Sequence, residues 1–483
     1  MKKKLIIAKM LGFAIILFIG SLFFSELLRE KKLVAGEAVT SWIVDYAELD
    51  DNTVDVISLG TSQAFCSLNP LILWEENGIA SYNLASSAAD IYASKAYLQY
   101  GLETQAPKIV LLECSRLIRE GTTSEEWNRR AYDNLPFSLY KFENLWYSMN
   151  EDENMVSYLF PCLRFHERWN DLTEADFKWA FTKESQSEYT YKGYYPRYKV
   201  TNADLSKFEK EVMNFQIAER ASDAVKEIKE LCDESGATLI LWKSPSPMWR
   251  ITYKEAVAEL ANEIGVEYLD LNDYIDEIGI DGAIDFYDSN AHLNDSGATK
   301  VSRYLASFLG KYNLGNHKEE RVYQDYEENY RNYLADKVAR ITEVKSYVEL
   351  ISSDSRYDLF VCVNDGLSDI KEYKEILSEL PFENLTKAAG VASYVGVYSD
   401  GVIVDECNAK NEVFWEGVVS GNKVELLSQG YRVGDNGSII IDGVEYMLPK
   451  QRGLGIVVYD KMLECVVDSV TFDIKMGAKA YRK

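Results

Sequence analysis

Two short segments, far apart in the chain, carry residues that could act together on an ester bond. Ser62 ends a Gly60-Thr61-Ser62 turn after an apolar run, and His292 follows Asp288 just before a predicted helix. A serine hydroxyl becomes a nucleophile when a histidine takes its proton, and a carboxylate on the other ring nitrogen orients that histidine. The chain has only three histidines, so few other bases are available. These residue types predict a serine-nucleophile site, provided that the fold brings the two segments together.

Two carboxylates are candidates for the third member of this site. Asp288 lies four residues before His292, and Asp285 lies seven residues before it. We predict that Asp288 orients the ring and stabilises the imidazolium, with one extra loop residue absorbed as a bulge. Asp285 is the alternative.

The elements that must position these residues alternate between residues 54 and 309. Apolar, strand-like runs are separated by helical patterns, and such runs, buried on both faces, are typical of parallel sheets covered by helices. We therefore predict a three-layer α/β domain whose strands end at one ligand-binding edge. Ser62 follows the first strand and His292 precedes the last helix, so both fall on that edge. The predicted strands are 54–59, 81–84, 108–113, 238–242 and 266–270, and the predicted helices are 91–102, 207–235, 254–264 and 297–309.

Residues 120–201 interrupt this alternation and are rich in Trp, Tyr and Phe without a clean period. We interpret them as an insertion that caps the active edge, where specificity loops usually lie. A small helical subdomain with a structural role is the alternative. The candidate substrate-binding side chains are His166 and Arg168 in the insertion, and Trp249, which could stack on a sugar ring. A surface or packing role for His166 stays open.

The N-terminus predicts a membrane anchor. Lysines at positions 2, 3, 4 and 9 precede the uncharged run 10–24. About 20 mostly apolar residues span a bilayer as a helix, and lysines before the span favour a cytoplasmic N-terminus with an extracellular remainder. A cleaved signal peptide is the alternative, although the nearest small-residue site, Val34-Ala35-Gly36, lies far beyond the run. We predict residues 1–32 as tail and single-pass anchor in the cell membrane.

Composition excludes several classes of function. The net charge of −25 argues against a nucleic-acid partner, because phosphate binding needs clustered Lys and Arg. The seven cysteines lack CxxC spacing, which excludes a zinc-ribbon pattern, and most of them are predicted to be small buried side chains. No metal or cofactor is predicted.

His317 follows Gly315-Asn316 in a polar stretch and is predicted to be solvated.

The chain changes character after Gly310. Residues 316–346 are highly charged and predict a helical linker, either a spacer or a packing helix. Residues 347–483 are rich in strands and glycine turns, and the Asp442-Gly443 pair suits a hairpin. We therefore divide the chain after the anchor into a domain at 33–315, the linker, and a β-rich domain at 347–483.

The two chemical motifs resemble those of the SGNH (GDSL-like) hydrolase superfamily. The Gly60-Thr61-Ser62 turn is similar to its first block, usually Gly-Asp-Ser, and residues 288–297 are similar to its last block. Within the superfamily the chain is similar to membrane-anchored envelope proteins, the DltD-like proteins of teichoic-acid alanylation and the AlgX/AlgJ-like polysaccharide acetyltransferases. The resemblance implies a flavodoxin-like three-layer parallel sheet and oxyanion donors at Asn83 and Ser86.

The chain departs from that pattern at two places. The last block normally has Asp three residues before His, and a Gly-x-Asn-Asp third block is replaced here by Glu113-Cys114-Ser115-Arg116. One oxyanion donor of the family is therefore missing.

The C-terminal region resembles a different family, the interleukin-like EMT inducer (ILEI/PANDER-like) domain. The segments 437–441, 452–460 and 467–473 carry this resemblance. It implies a β-sandwich-like module without catalytic residues, and a binding or positioning role on glycan.

Together the resemblances imply a membrane-anchored, extracytoplasmic esterase or O-acyltransferase without cofactor. Its substrate would be cell-envelope polysaccharide or teichoic acid, and a membrane-bound acyl-transfer protein is a candidate partner. The alternative is a non-catalytic envelope scaffold or glycan-binding protein with a degenerate SGNH fold.

Overall fold

The structure is a computed structural model that divides the chain into two compact units, Met1–Tyr330 and Arg331–Lys483. Asn290 and Ala291, within the predicted histidine segment, lie outside the described residues, as does the Val34-Ala35-Gly36 site. The structure describes residues 2–29, 39–182, 190–206, 215–289, 292–364, 374–387, 393–430, 433–434, 436–448 and 451–482.

The first unit is a mixed α/β domain. Its strands are β1 (Val56–Gly60), β2 (Ser81–Ala85), β3 (Ile109–Glu113), β4 (Thr238–Lys243) and β5 (Glu267–Asp270). Its helices are α1 (Lys2–Leu28), α2 (Val39–Glu48), α3 (Ser62–Ser67), α4 (Pro70–Asn77), α5 (Ile91–Gly101), α6 (Glu125–Tyr132), α7 (Leu139–Ser148), α8 (Met155–Leu159), α9 (Glu174–Thr182), α10 (Glu219–Ser235), α11 (Ile251–Ile264), α12 (Ile275–Ile278) and α13 (Asp295–Leu309); α14 (Gln324–Arg340) continues into the second unit.

The five strands form one parallel sheet in the order β2-β1-β3-β4-β5. Every residue of β1, β2 and β3 is buried, as their near-continuous apolar runs predict. The strand order reverses between β1 and β3, and in such sheets a crevice for ligands opens there, at the carboxyl ends of the strands. The prediction of a parallel α/β sheet is confirmed, and Ser62 follows β1 at this crevice.

Capping residues visible in the sequence mark several helix ends where the structure has them. Asn294 accepts a hydrogen bond from Gly297 N at 3.1 Å and begins α13, and Gly265 ends α11 with a φ of 69°. The predicted helix 207–235 begins only at Glu219. Residues 207–214 lie outside the described part, and Phe215 instead packs edge-on against Tyr253 of α11, with ring centroids 4.9 Å apart.

The aromatic insertion divides into two parts. Its helices α6 and α7 pack on α5, where the Tyr97 hydroxyl donates to Ala131 O at 2.9 Å and Tyr92 stacks on Tyr147. Its last stretch returns to the carboxyl edge of the sheet, where Thr201 N donates to Phe286 O at 2.8 Å. This last stretch contacts the segment that bears His292, and the helical part reaches the start of α5, where Ser148 Oγ donates to Asp90 Oδ1 at 3.3 Å.

The helix α1 is long and apolar enough to cross a membrane over Lys4–Leu28, 25 residues. Its apolar middle is exposed, whereas its last turn is buried in the first unit, including Ser25, Leu27 and Leu28.

The predicted linker 316–346 is not a free spacer. In the first unit, the Tyr326 hydroxyl donates to Ser81 O at 3.1 Å. In the same unit, Trp74 Nε1 donates to Glu327 Oε2 at 3.2 Å. His317 is not simply solvated, because its ring stacks on Tyr323 at 4.4 Å and its Nε2 lies 3.0 Å from Asp55 Oδ2.

The second unit is rich in strands, as predicted. Its elements are α15 (Val344–Ser353), β6 (Tyr357–Asn364), α16 (Lys374–Leu377), β7 (Ser393–Ser399), β8 (Val402–Ala409), β9 (Glu412–Val419), β10 (Asn422–Gln429), β11 (Asn436–Ile441), β12 (Val444–Glu445), β13 (Gly453–Asp460), β14 (Cys465–Asp473) and β15 (Lys479–Arg482). The strands form two antiparallel sheets, a six-stranded one in the order β15-β14-β13-β6-β7-β8 and a four-stranded one in the order β12-β11-β10-β9. Phe360, Val395 and Val457 of the six-stranded sheet share one core with Leu426 and Ile439 of the four-stranded sheet.

Candidate active site

Ser62 lies in a turn that only glycine permits at its first position. Gly60 has a φ of 143°, and a Cβ there would lie 2.9 Å from Glu113 Cβ. Thr61 then caps α3, its Oγ1 accepting from Gln63 N at 3.3 Å. Ser62 is the first residue of α3 and is partly exposed. The turn thus presents a serine hydroxyl at the carboxyl edge of the sheet.

His292 reaches this hydroxyl from the other end of the domain. Its Nε2 lies 2.8 Å from Ser62 Oγ, across 230 positions of sequence. Its Nδ1 lies 2.6 Å from Asp288 Oδ2, and its backbone N–H donates to Asp288 Oδ1 at 3.2 Å. One carboxylate therefore binds both the ring and the backbone of the histidine.

Asp285 is occupied elsewhere. It is fully buried and accepts hydrogen bonds from Lys300 Nζ at 2.6 Å, Ser296 Oγ at 2.7 Å and Asp281 N at 2.7 Å. These contacts tie the loop to the first turns of α13. Of the two candidates, Asp288 is therefore the carboxylate that contacts the ring.

The contacts of His292 indicate which of its ring nitrogens carries the proton. A carboxylate at Nδ1 favours the tautomer with N–H on Nδ1, which leaves the Nε2 lone pair facing Ser62 Oγ. In that state Nε2 can accept the hydroxyl proton, and Asp288 can stabilise the imidazolium that forms. The arrangement is suited to nucleophilic attack by serine on a carbonyl carbon.

The two predicted oxyanion donors have different surroundings. Asn83 is fully buried within β2, where its Nδ2 donates to Leu68 O at 2.8 Å and to Gly193 O at 3.4 Å. The prediction for Asn83 is corrected, because both donor positions of its amide are used to hold backbone. Ser86 follows β2 beside Gly60, and its buried hydroxyl has no hydrogen-bond partner among the described residues. Of the two predicted side chains, Ser86 is therefore the one whose donor is not used by another described residue.

A buried ion pair that the sequence did not predict contacts the turn that presents Ser62. Lys243, at the end of β4, lies 2.9 Å from Glu113 at the end of β3, and both side chains are fully buried. Lys243 Nζ also hydrogen-bonds Gln63 Oε1, directly after Ser62. The available signal was the opposite charges of Glu113, at the end of one predicted strand, and Lys243, directly after another.

Glu113 also affects the cysteine beside it. Cys114 is buried, and burial together with the Glu113 charge holds the pKa of its thiol well above the usual value. The thiol stays protonated, so Ser62 has no competing thiolate at this position.

Arg197, also missed, links the two halves of the site. Its Nε donates to Cys66 Sγ of α3 at 3.1 Å, and its guanidinium lies 4.5 Å from the centre of the Tyr287 ring. Its carbonyl accepts from Asp295 N, at the start of α13, at 2.7 Å. A positive charge is thereby fixed between α3 and the residue that precedes Asp288.

Of the three predicted substrate-binding side chains, Trp249 and Arg168 are committed to contacts within the fold, and a substrate role for His166 stays a prediction. Trp249 is 3 % exposed and its Nε1 donates to Asp270 Oδ2 at 3.0 Å, so no ring face is free for a sugar. Arg168 donates to Leu28 O at 2.8 Å and to Asp176 Oδ1 at 2.9 Å, so its role is structural. His166 lies with Arg168 in a short 3-10 helix, His166–Asp171. Its side chain is exposed, and its Nδ1 lies 3.2 Å from Leu163 O.

In the described part of the chain, no group of three or more His, Cys, Asp or Glu side chains is placed to hold a metal ion.

Comparison with known proteins finds no family model that matches the chain, and no curated protein matches it significantly.

Proposed function

We propose that the protein is a membrane-anchored serine esterase or O-acyltransferase of the SGNH type, acting through Ser62, His292 and Asp288. The observation that carries the proposal is the continuous chain of contacts from Ser62 Oγ through both His292 nitrogens to Asp288 Oδ2, at 2.8 Å and 2.6 Å. The parallel sheet supports it, because the order 2-1-3-4-5 is that of flavodoxin-like doubly wound folds.

In the first half-reaction Ser62 Oγ attacks the carbonyl carbon of an acyl ester while its proton passes to His292 Nε2. The oxyanion that forms is stabilised by the Ser62 N–H and by Ser86. The tetrahedral intermediate then collapses, the bond to the alcohol breaks, and the leaving oxygen takes the proton from Nε2. Ser62 is left as an acyl ester.

In the second half-reaction His292 Nε2 removes a proton from the incoming hydroxyl, which attacks the Ser62 ester. Water in this role gives hydrolysis, and a sugar or polyol hydroxyl gives transfer of the acyl group. The proton on Nε2 then returns to Ser62 Oγ as the serine leaves. The two activities share one acyl-enzyme and differ only in the acceptor.

The substrate class follows from the predicted location. An anchor at α1 with lysines in its first turns favours a cytoplasmic N-terminus and an extracytoplasmic site. The acyl acceptor would then be an envelope polysaccharide or teichoic acid, and the acyl donor would come from a membrane-bound partner. The second unit, with no catalytic residue assigned, would bind or position the polymer.

The test is labelling of the full-length chain, in lipid nanodiscs, with a fluorophosphonate probe. We expect wild type to be labelled and Ser62→Ala to be unlabelled while keeping its circular dichroism spectrum. Ser67→Ala is the matched control, because Ser67 lies on the same helix but is fully buried. Labelling of Ser62→Ala at the wild-type rate, or no labelling of folded wild type, would favour the non-catalytic scaffold.

A further inference from the structure

The end of α1 is fastened to the first unit. The Arg168 guanidinium donates to Leu28 O at 2.8 Å and also to Arg29 O, two carbonyls at the end of α1 that lack an intrahelical partner. Arg29 in turn donates to Asp133 O. These contacts hold the end of α1 against the domain. If α1 spans a membrane, the part of the domain around Arg168 therefore lies at the membrane surface where α1 emerges.

Aromatic side chains of the insertion follow α1 along its last turns. Phe160 meets Phe18 edge-on with ring centroids 6.1 Å apart, and Trp169 lies 6.3 Å from Phe24. Phe181 of α9 lies 5.4 Å from Phe23. The apolar surface of α1 is thus in contact with apolar side chains of the insertion.

The same part of the insertion presents large apolar side chains to solvent. Leu163 is 56 % exposed, Trp169 60 %, Phe177 45 % and Phe181 73 %. Phe177 and Phe181 are four residues apart on α9 and so lie on one face of that helix. Grouped exposed side chains of this size mark an interaction surface. We call Phe160, Leu163, Trp169, Phe177 and Phe181 the interfacial belt.

The geometry of α1 indicates where the belt lies. The run 5–24 contains one charge, Lys9, and at about 1.5 Å per residue it is about 30 Å long, the thickness of a hydrocarbon core. The bilayer surface then falls near Phe24, beside Trp169 and Phe181. Phe18, the partner of Phe160, lies about 9 Å deeper, which is within the 5–10 Å that interfacial apolar faces penetrate.

We propose that the interfacial belt is inserted in the outer part of the bilayer and holds the domain flat against the membrane. This inference rests on the anchoring of α1 in the proposed function and adds a second, non-helical contact to it. Trp and Phe side chains at this level form the kind of aromatic belt found at membrane surfaces. The occupant of the exposed apolar surface is therefore lipid, and the site is restricted to substrates close to the membrane.

The experiment is photolabelling of the full-length wild-type chain in phosphatidylcholine vesicles that contain a lipid with a diazirine in its acyl chain. Adducts are mapped by mass spectrometry. We expect adducts on α1 and on residues 155–182, and none on peptides that contain Ile251 or Val322, which are exposed apolar side chains of the same unit. Leu163→Ser/Phe177→Ser/Phe181→Ser should reduce adducts on 155–182 at least fivefold, whereas Ile251→Ser/Val322→Ser should not.

The outcomes separate this inference from the proposed function. Adducts on α1 alone would overturn the belt while leaving the anchor intact, and adducts on neither segment would overturn both. Adducts on the Ile251 and Val322 peptides at the level of residues 155–182 would show unselective labelling and would also overturn the belt. Catalysis is measured separately by fluorophosphonate labelling of Ser62, which the belt substitutions should leave unchanged.

Discussion

The two ring nitrogens of His292 have different partners, and this difference gives them different tasks. Nε2 faces the Ser62 hydroxyl and Nδ1 faces Asp288, with both distances below 3 Å. Asp288 remains partly exposed, whereas Asp285 is fully buried and bonded to three donors. The first carboxylate contacts the ring at which proton transfer is proposed, and the second holds its loop to α13.

Substitution of the two carboxylates should separate these roles. We expect Asp288→Asn to lower kcat/KM for a small acetyl ester by a factor on the order of 10³–10⁴, because it removes the group that fixes the tautomer. Asp285→Asn should cost less than about tenfold in activity but about 2 kcal/mol in the free energy of unfolding, because it leaves Lys300 without its partner. The checks are ester kinetics and thermal unfolding. The reverse order of activities would make Asp285 the orienting carboxylate.

Substitution of His292, the proposed base, tests whether Ser62 and His292 act together in one catalytic step. His292→Ala should reduce activity as much as Ser62→Ala, and the double variant should be little worse than either, because each change removes the same step. Kinetics of the three variants on one acetyl ester decide the matter. Additive losses would show that Ser62 and His292 contribute independently.

At the scale of elements, the site depends on where neighbouring strands end. β1 ends in the nucleophile turn, β3 ends at Glu113 and β4 ends at Lys243, so a buried ion pair forms there and contacts Gln63. A buried charge without its partner is strongly destabilising, whereas loss of the whole pair can be nearly neutral.

Lys243→Met should therefore lower the free energy of unfolding by about 3–5 kcal/mol and reduce labelling of Ser62. Adding Glu113→Leu should restore most of the stability but not the labelling rate, because the bond to Gln63 is still missing. Chemical unfolding and probe kinetics measure the two effects. A stable, fully labelled Lys243→Met variant would show that the pair does not support the turn.

The helix α7 carries another buried lysine, Lys141, and its burial predicts that the stability of the fold depends on pH. Lys141 Nζ donates to Leu135 O at 2.8 Å, and burial lowers the pKa of Lys141 from 10.5 to about 8. Between pH 8 and 10.5 the unfolded chain holds more protons at this position than the folded one, so the penalty for burying the charge is relieved as pH rises. The melting temperature of wild type relative to Lys141→Met should therefore increase over this range. A constant difference would mean that Lys141 has an ordinary pKa.

At the scale of the whole molecule, the chain forms two compact units, and the first of them begins with the apolar helix α1. The first unit contains Ser62, His292 and Asp288, and the second is a pair of antiparallel sheets around one core. If α1 spans the membrane with its lysines inside, the chain after α1 is outside the cell. Under the proposed function, Ser62 would then meet an envelope polymer rather than cytoplasmic metabolites.

Protease added to intact protoplasts tests this topology. We expect the chain from Leu33 onward to be digested, leaving a short N-terminal stub, because α1 crosses the bilayer and the chain after it lies on the outer side. A cytoplasmic protein followed in the same sample serves as the control for membrane integrity. Protection of residues 33–483 until lysis would contradict both the orientation and the envelope substrate.

The sequence by itself determined the features that depend on local pattern. Apolar runs such as those of β1 and β3 predicted a parallel sheet, and the rule that such strands end at one edge predicted that Ser62 and His292 would approach each other. Glycine at position 60, at the end of an apolar run, indicated the tight turn that presents Ser62. These signals lie within a few residues of one another, so they can be read without knowing the rest of the fold.

Only the tertiary structure decided which polar and aromatic side chains surround the site. Trp249 and Asn83 are enclosed by distant elements, Arg168 is drawn to the end of α1, and Lys243 finds Glu113 across two strands. Residue type states what a side chain can bind, but burial and hydrogen bonding depend on segments far away in sequence. The same holds for Asp288 and Asp285, because the loop geometry directs one carboxylate to the ring and the other to Lys300.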